Sequence, residues 1–90
     1  MIHLGISMNR IRQPALVQIV KLFPNLFSLD VSFNDLCDMD SAIQWCNQLE
    51  KLKMLFLEGN PLVLTNHYNK VITERIPTLK VLDGSAVFVD

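Results

Sequence analysis

No apolar run in this 90-residue chain approaches the roughly 18 residues that a membrane-crossing helix requires. The opening stretch, MIHLGISMNRIRQP, lacks a basic region followed by a continuous hydrophobic segment, so no secretion signal is read there. A membrane partner is not expected, and the expected setting is cytoplasmic. Cysteine is scarce: Cys37 and Cys46 lie nine residues apart, a spacing that fits no CxxC metal or redox motif, and two cysteines do not make a secreted disulfide framework. Both are expected to be reduced and packed among apolar side chains. An excess of one charge is missing too. Eight basic and nine acidic residues leave a net charge of -1, without the basic stripe that phosphate recognition uses, so nucleic acid is not an expected partner. The glycine-rich patterns GxGxxG and GxxxxGK[ST] are absent, which removes the usual nucleotide cradles, and no cofactor is expected.

What the chain does have is apolar residues at half of its positions, enough for one small core. A core of this size gives marginal stability unless neighbouring structure adds to it. The apolar residues recur in phase. Three segments align as LGISMNRI from Leu4, LDVSFNDL from Leu29 and LFLEGNPL from Leu55, and Met1, Leu26 and Leu52 each stand three residues ahead. The shared pattern is L-x-x-L-x-L-x-x-N-x-L, with Ile or Val allowed at apolar sites, and its asparagines are Asn9, Asn34 and Asn60, spaced by 25 and 26 residues. A fourth segment, LKVLDG from Leu79 to Gly84, retains the two leading leucines without the asparagine.

The residue types explain the pattern. Leu29 and Val31 alternate with Asp30, and Leu55 and Leu57 with Phe56, so a short strand sends one set inward and the other to an open face. A sharp turn follows each strand, and a buried asparagine amide there can satisfy backbone donors and acceptors that would otherwise be unpaired. Between strands the chain returns along the outer side. In the first return, Pro14 suits a first helical turn, Leu16, Ile19, Val20 and Phe23 follow helical spacing, and Pro24 stops the helix. In the second, Ser41 with Gln44 forms a capping-box pattern, Ile43, Cys46 and Leu49 face inward, and Trp45 lies partly outside. In the third, Tyr68, Val71, Ile72 and Ile76 form an apolar stripe from about Asn66 to Arg75, ended by Pro77. The fold class is therefore α/β: a curved solenoid with short parallel strands on the concave face and short helices on the convex face. Its repeats are expected at about 1–25, 26–51 and 52–78, with a terminal cap strand at about 79–90.

Over essentially its whole length the sequence resembles the intracellular leucine-rich repeat proteins. The stretch LKMLFLEGNPLVLTNHYNKVITERIPTLKVLDG is similar to their C-terminal cap, in which GNP, a helix carrying an aromatic residue and a final IPxLxxLDG follow in order. Similar endings occur in axonemal members of the outer-arm dynein light-chain type, and in tubulin-folding, spliceosomal and messenger-RNA-export members. The matching residues build and close the solenoid, so the resemblance implies architecture and leaves the biological role open.

No catalytic constellation emerges. His3 and His67 lie in separate repeats, away from any metal-ligand motif or nucleophile, and read as a strand-face and a helix-entry histidine. Asp38 and Asp40 read as carboxylates complementing the positive end of a helix. No metal site and no enzymatic activity are expected. The open strand face is where partners would bind: His3, Gly5 and Ser7 on the first strand, Ser28, Asp30 and Ser32 on the second, Met54, Phe56 and Glu58 on the third, and Val81, Asp83 and Ser85 on the fourth. Met54 and Phe56 are the expected apolar anchors, with Glu58, Asp30, Ser32 and His3 beside them. The function expected is a noncatalytic protein-interaction or scaffold module in a ciliary or cytoskeletal assembly. The alternative is an adaptor in RNA processing or export, with a nuclear setting. Leu4 and Ile6 belong to the inward layer but nothing ahead of them covers it. A longer solenoid or another chain is accordingly expected at the N-terminal edge.

Overall fold

The computed structural model describes residues 2–87, so the expected repeat position of Met1 and the last three residues of the expected cap strand lie outside the described residues. Five strands form one sheet in chain order: β1 (Ile2–Gly5), β2 (Leu26–Asp30), β3 (Met54–Phe56), β4 (Val81–Leu82) and β5 (Ser85–Ala86). The first four are parallel. Parallel neighbours need a crossover, and three helices supply it: α1 (Gln13–Leu22), α2 (Met39–Cys46) and α3 (Tyr68–Arg75). The register puts Leu4 opposite Leu29, Leu29 opposite Leu55 and Leu55 opposite Leu82, the alignment that the repeat spacing implies. Leu29, Val31, Leu55 and Leu57 are fully buried against the inner sides of the helices, where Leu16, Ile43, Cys46 and Ile72 meet them in one core.

The turns after the strands are held by asparagine. Asn34 Oδ1 accepts the backbone N–H groups of Asn9 at 2.7 Å and Ile11 at 2.9 Å, while its Nδ2 donates to the carbonyls of Val31, Ser32 and Ile6. Asn60 repeats the arrangement, accepting from the Leu36 N–H at 3.0 Å and donating to the Leu57 and Val31 carbonyls. Both are buried, whereas Asn9 is exposed, contrary to the expectation of three buried amides. The reason is directional. Each Oδ1 serves the repeat before it, and Asn9 has no such repeat among the described residues. The residue ahead of each asparagine is left-handed: Met8 at φ 61°, Phe33 at φ 55° and Gly59 at φ 77°. Glycine is required at the third of these, because a Cβ on Gly59 would lie 2.3 Å from the Phe33 ring.

The helices depart from expectation in their ends. In α1, proline stands in the first turn and Leu16 and Val20 are buried, but Phe23 falls at the C-cap and is 40% exposed. In α2 the N-cap is Asp38, whose carboxylate accepts from the Ser41 N–H at 3.2 Å, so Ser41 lies inside the helix and does not cap it. The earlier start buries Met39 and Ala42 along with Ile43 and Cys46. Cys37 is exposed, correcting the expectation that both thiols are packed. Leu36 takes the inward position and Asp38 the cap, which leaves Cys37 outside. Burial of the Cys46 thiol pushes its pKa up to about 12. Trp45 is half-buried, with Lys21 Nζ 5.7 Å from its ring centroid. A 3-10 turn at Pro61–Leu64 precedes α3, which begins at Tyr68 after His67 in a left-handed conformation.

The C-terminal end closes differently from the other repeats. Instead of one terminal strand, the chain turns at Asp83 and Gly84, both at positive φ, and β5 runs back antiparallel to β4. Where the Val31 N–H at the end of β2 donates to the Phe56 carbonyl, the end of β3 instead uses the side chain of Asp83, whose Oδ1 accepts from the N–H groups of Leu57 at 2.7 Å and Glu58 at 3.0 Å. Its Oδ2 accepts from the Tyr68 hydroxyl at 2.7 Å, tying α3 to the end of the sheet. Burial, the hydrogen bond to Asp83 and the charge of that carboxylate together push the Tyr68 phenol well above its ordinary value.

Candidate functional site: the concave strand face

Because the strands are parallel and in register, their outward residues form rows across the sheet. His3, Ser28, Met54 and Val81 make one row, and Gly5, Asp30 and Phe56 make the next. The His3 imidazole is exposed, and its Nδ1 lies 2.8 Å from Ser28 Oγ. A Cβ on Gly5 would come within 3.1 Å of His3 Nε2, so the small residue gives the ring its room. Met54 and Phe56 are half-buried and share an open groove of about 400 Å³ with Ile2, His3, Phe27 and Ser28.

The acidic residues lie further along the strands. Asp30 Oδ1 accepts from both the backbone N–H and the hydroxyl of Ser32, at 3.0 and 2.6 Å. Ser32 is itself buried, so its hydroxyl orients Asp30 and does not present a free contact. Glu58 is exposed. The structure thus brings His3, Met54 and Phe56 into one groove, with Asp30 and Glu58 on the side toward the strand ends. Ile2 and Phe27 also line it, although alternation along the strands did not single them out. The available signal was the residue after each leading apolar position: Ile2 and Phe27 in the first two repeats, Lys53 and Lys80 in the later ones. Among the described residues no group of three or more His, Cys, Asp or Glu side chains converges as a metal site would require, and no helix is long and apolar enough to cross a membrane.

A parallel ladder of leucine-bearing strands, asparagine-held turns and outer helices makes this chain a leucine-rich repeat module. The relatives agree. Over 87 residues, 94% of its length, it is 38% identical to human leucine-rich repeat-containing protein 43, of which it spans 13%. It is 39% identical over 77 residues to human leucine-rich repeat- and IQ domain-containing protein 1, of which it spans 4%. Against the mRNA export factor mex67 of Schizosaccharomyces pombe the identity is 27% over 96% of this chain and 16% of that protein. Among solved structures, the Mex67 leucine-rich repeat domain of Chaetomium thermophilum superposes with a TM-score of 0.80 at 27% identity, covering 97% of this chain and 58% of that one. The Mex67:Mtr2 subunits of Chaetomium give 0.82 at 26% identity, covering 97% of this chain and 56% of that one. No protein-family profile matches the chain.

Proposed function

We propose that this chain is a noncatalytic protein-interaction module that holds a protein partner on its concave strand face. The observation that carries this reading is the groove lined by Ile2, Phe27, Met54 and Phe56, with Asp30 paired across the sheet with Phe56 and Glu58 two residues further along β3's continuation. Aromatic and methionine side chains held on a rigid sheet act as anchors, since little of their freedom is lost on binding. Met54 and Phe56 supply the anchors, His3 and Glu58 the polar contacts, and Ser32 fixes Asp30. The test is Phe56→Ala, which weakens the complex with a partner recovered by the native chain by at least about 1 kcal/mol while the unfolding curve remains cooperative. Unchanged affinity removes Phe56 from the site.

Two settings fit such a module. A ciliary or cytoskeletal scaffold is supported by the cap's resemblance to axonemal members. An adaptor in messenger-RNA export is supported by the likeness to mex67 in both sequence and fold. Capture of tubulin or dynein components by the native chain favours the first, and capture of messenger ribonucleoprotein components favours the second. Loss of either on Phe56→Ala places it on the strand face.

A further inference from the structure

The sheet carries its charges at opposite ends of the strands. Lys53 and Lys80 stand one residue ahead of Met54 and Val81, at the strand starts, whereas Asp30 closes β2 and Glu58 lies two residues past the end of β3. At the usual strand rise, Lys53 and Glu58 are on the order of 15 Å apart, beyond the roughly 8 Å over which charges interact in physiological salt. The two ends therefore do not neutralise each other. Among the described residues the ion pair that forms, Arg75 with Asp40, joins α3 to α2.

The acidic end is oriented before any partner arrives. Asp30 is held on one oxygen: its Oδ1 accepts from the Ser32 N–H and hydroxyl, and among the described residues nothing donates to Oδ2. Its carbonyl accepts from the Ile6 N–H at 2.9 Å, which fixes the backbone behind it. Glu58 is fixed on both sides, its N–H by Asp83 Oδ1 at 3.0 Å and its carbonyl by the Phe33 N–H at 2.8 Å, while its carboxylate is exposed and unbonded among the described residues. Asp83 differs, because both of its oxygens are already engaged. Phe56 stands beside the two available carboxylates, paired with Asp30 across the sheet at the usual strand spacing of about 4.8 Å and two residues before Glu58. A cation seated there meets opposite charge and an aromatic ring together.

We infer that the groove takes a partner segment in which an apolar anchor is followed by arginine, the guanidinium lying against Phe56 within reach of Asp30 and Glu58. The inference rests on the concave face holding a protein partner, and it names that partner's chemistry. Guanidinium suits the place better than ammonium: it is planar, stacks on a ring while its edge N–H groups reach carboxylates, and gives up its water more readily. The anchor enters between Phe27 and Met54, which line the same groove as Phe56. Lys53 and Lys80 repel a cation at the strand starts, so the arginine side of the segment faces the strand ends.

The probes are capped peptides that share one leucine-containing core followed by two arginines, two lysines or two citrullines, the last keeping the shape of arginine without its charge. Titrated into the isotopically labelled chain at low salt, the arginine peptide moves the amide signals of Asp30, Phe56 and Glu58 and binds at least about fivefold more tightly than the citrulline peptide, with lysine between them. Asp30→Asn combined with Glu58→Gln, which keeps the size of both side chains, brings the arginine peptide down to the citrulline level. Phe56→Ala weakens all three. Equal binding of the arginine and citrulline peptides, with Phe56→Ala still weakening both, would overturn the arginine assignment and leave the concave groove as a partner site. Equal binding of the arginine and lysine peptides would overturn the choice of guanidinium. Indifference of every peptide to Phe56→Ala, or no movement of the groove signals, would overturn the inference together with the groove.

Discussion

Leu4 and Ile6 stand at the same positions of the repeat as Leu55 and Leu57, yet the first pair is only partly buried and the second is fully enclosed. The asparagines behind them differ in the same way, Asn9 exposed and Asn60 buried. The sequence motif sets the direction in which each side chain points, and these residues point inward in both repeats. Burial needs something more, a neighbour on each side, and among the described residues only the inner repeats have two. In a solenoid the worth of a residue is thus a property of its junctions as much as of its own repeat.

Truncating matched leucines tests that comparison most severely. Leu55→Ala is expected to cost about 3–5 kcal/mol, enough to unfold a domain of this size, while Leu4→Ala costs about 1 kcal/mol, because its site is already open to water. Urea unfolding of the two variants beside the parent measures both, and equal losses would show that the first repeat is as well packed as the third. Alkaline pH is expected to act through two groups whose ionisation burial opposes, the Cys46 thiol and the Tyr68 phenol. Cys46 is neutral at neutral pH, and its folded pKa of about 12 exceeds the ordinary 9.0. Its contribution is therefore complete below pH 9.0 and is lost as the pH climbs toward 12, at roughly 1.4 kcal/mol per pH unit while only the unfolded chain ionises. The raised Tyr68 phenol acts in the same sense. A stability profile from about pH 8 to 11 should fall, and Cys46→Ala should flatten it.

Asn34→Ala comes next, at about 1–3 kcal/mol, since it strands the buried turn groups the amide joins. An unaltered denaturation midpoint and slope would argue against the ladder. The smallest effect is expected at Arg75, whose guanidinium meets Asp40 at 2.9 Å with both side chains more than half exposed. Arg75→Ala should stay within about 0.5 kcal/mol. A larger loss in calorimetry would mean that the outer helices lean on one another through that pair.

The strand register was legible because it repeats: three asparagines in phase within one apolar frame admit a single alignment, and β1 to β4 follow it. Helix ends were less so. Ser41 with Gln44 and Asp38 with Ser41 are both sound starts by local chemistry, and the choice fell to Asp38 because Met39 and Ala42 gain burial when the helix begins there. The aspartate that ties the last strand to the third was also hidden. Asp83 and Tyr68 are 15 residues apart, and no local pattern announces that a phenol and a strand-end carboxylate will meet. At the groove, counting alternate positions omitted Ile2 and Phe27, because the pairing of β1 with β2 shifts between Ile2 and His3.

The one-way direction of the turn contacts sets an order of events when the chain is made. Asn9 and Ile11 wait for Asn34, Leu36 waits for Asn60, and Leu57 and Glu58 wait for Asp83, so each turn is completed by a residue 23 to 26 positions later. At a synthesis rate of about 5–20 residues per second, that is a delay of roughly one to five seconds per repeat. During it the newest strand has its leucines but not its lock. The growing chain therefore carries an unfinished turn behind each new strand, and the last of these contacts among the described residues forms when Asp83 arrives, with Tyr68 already made to hold its other oxygen.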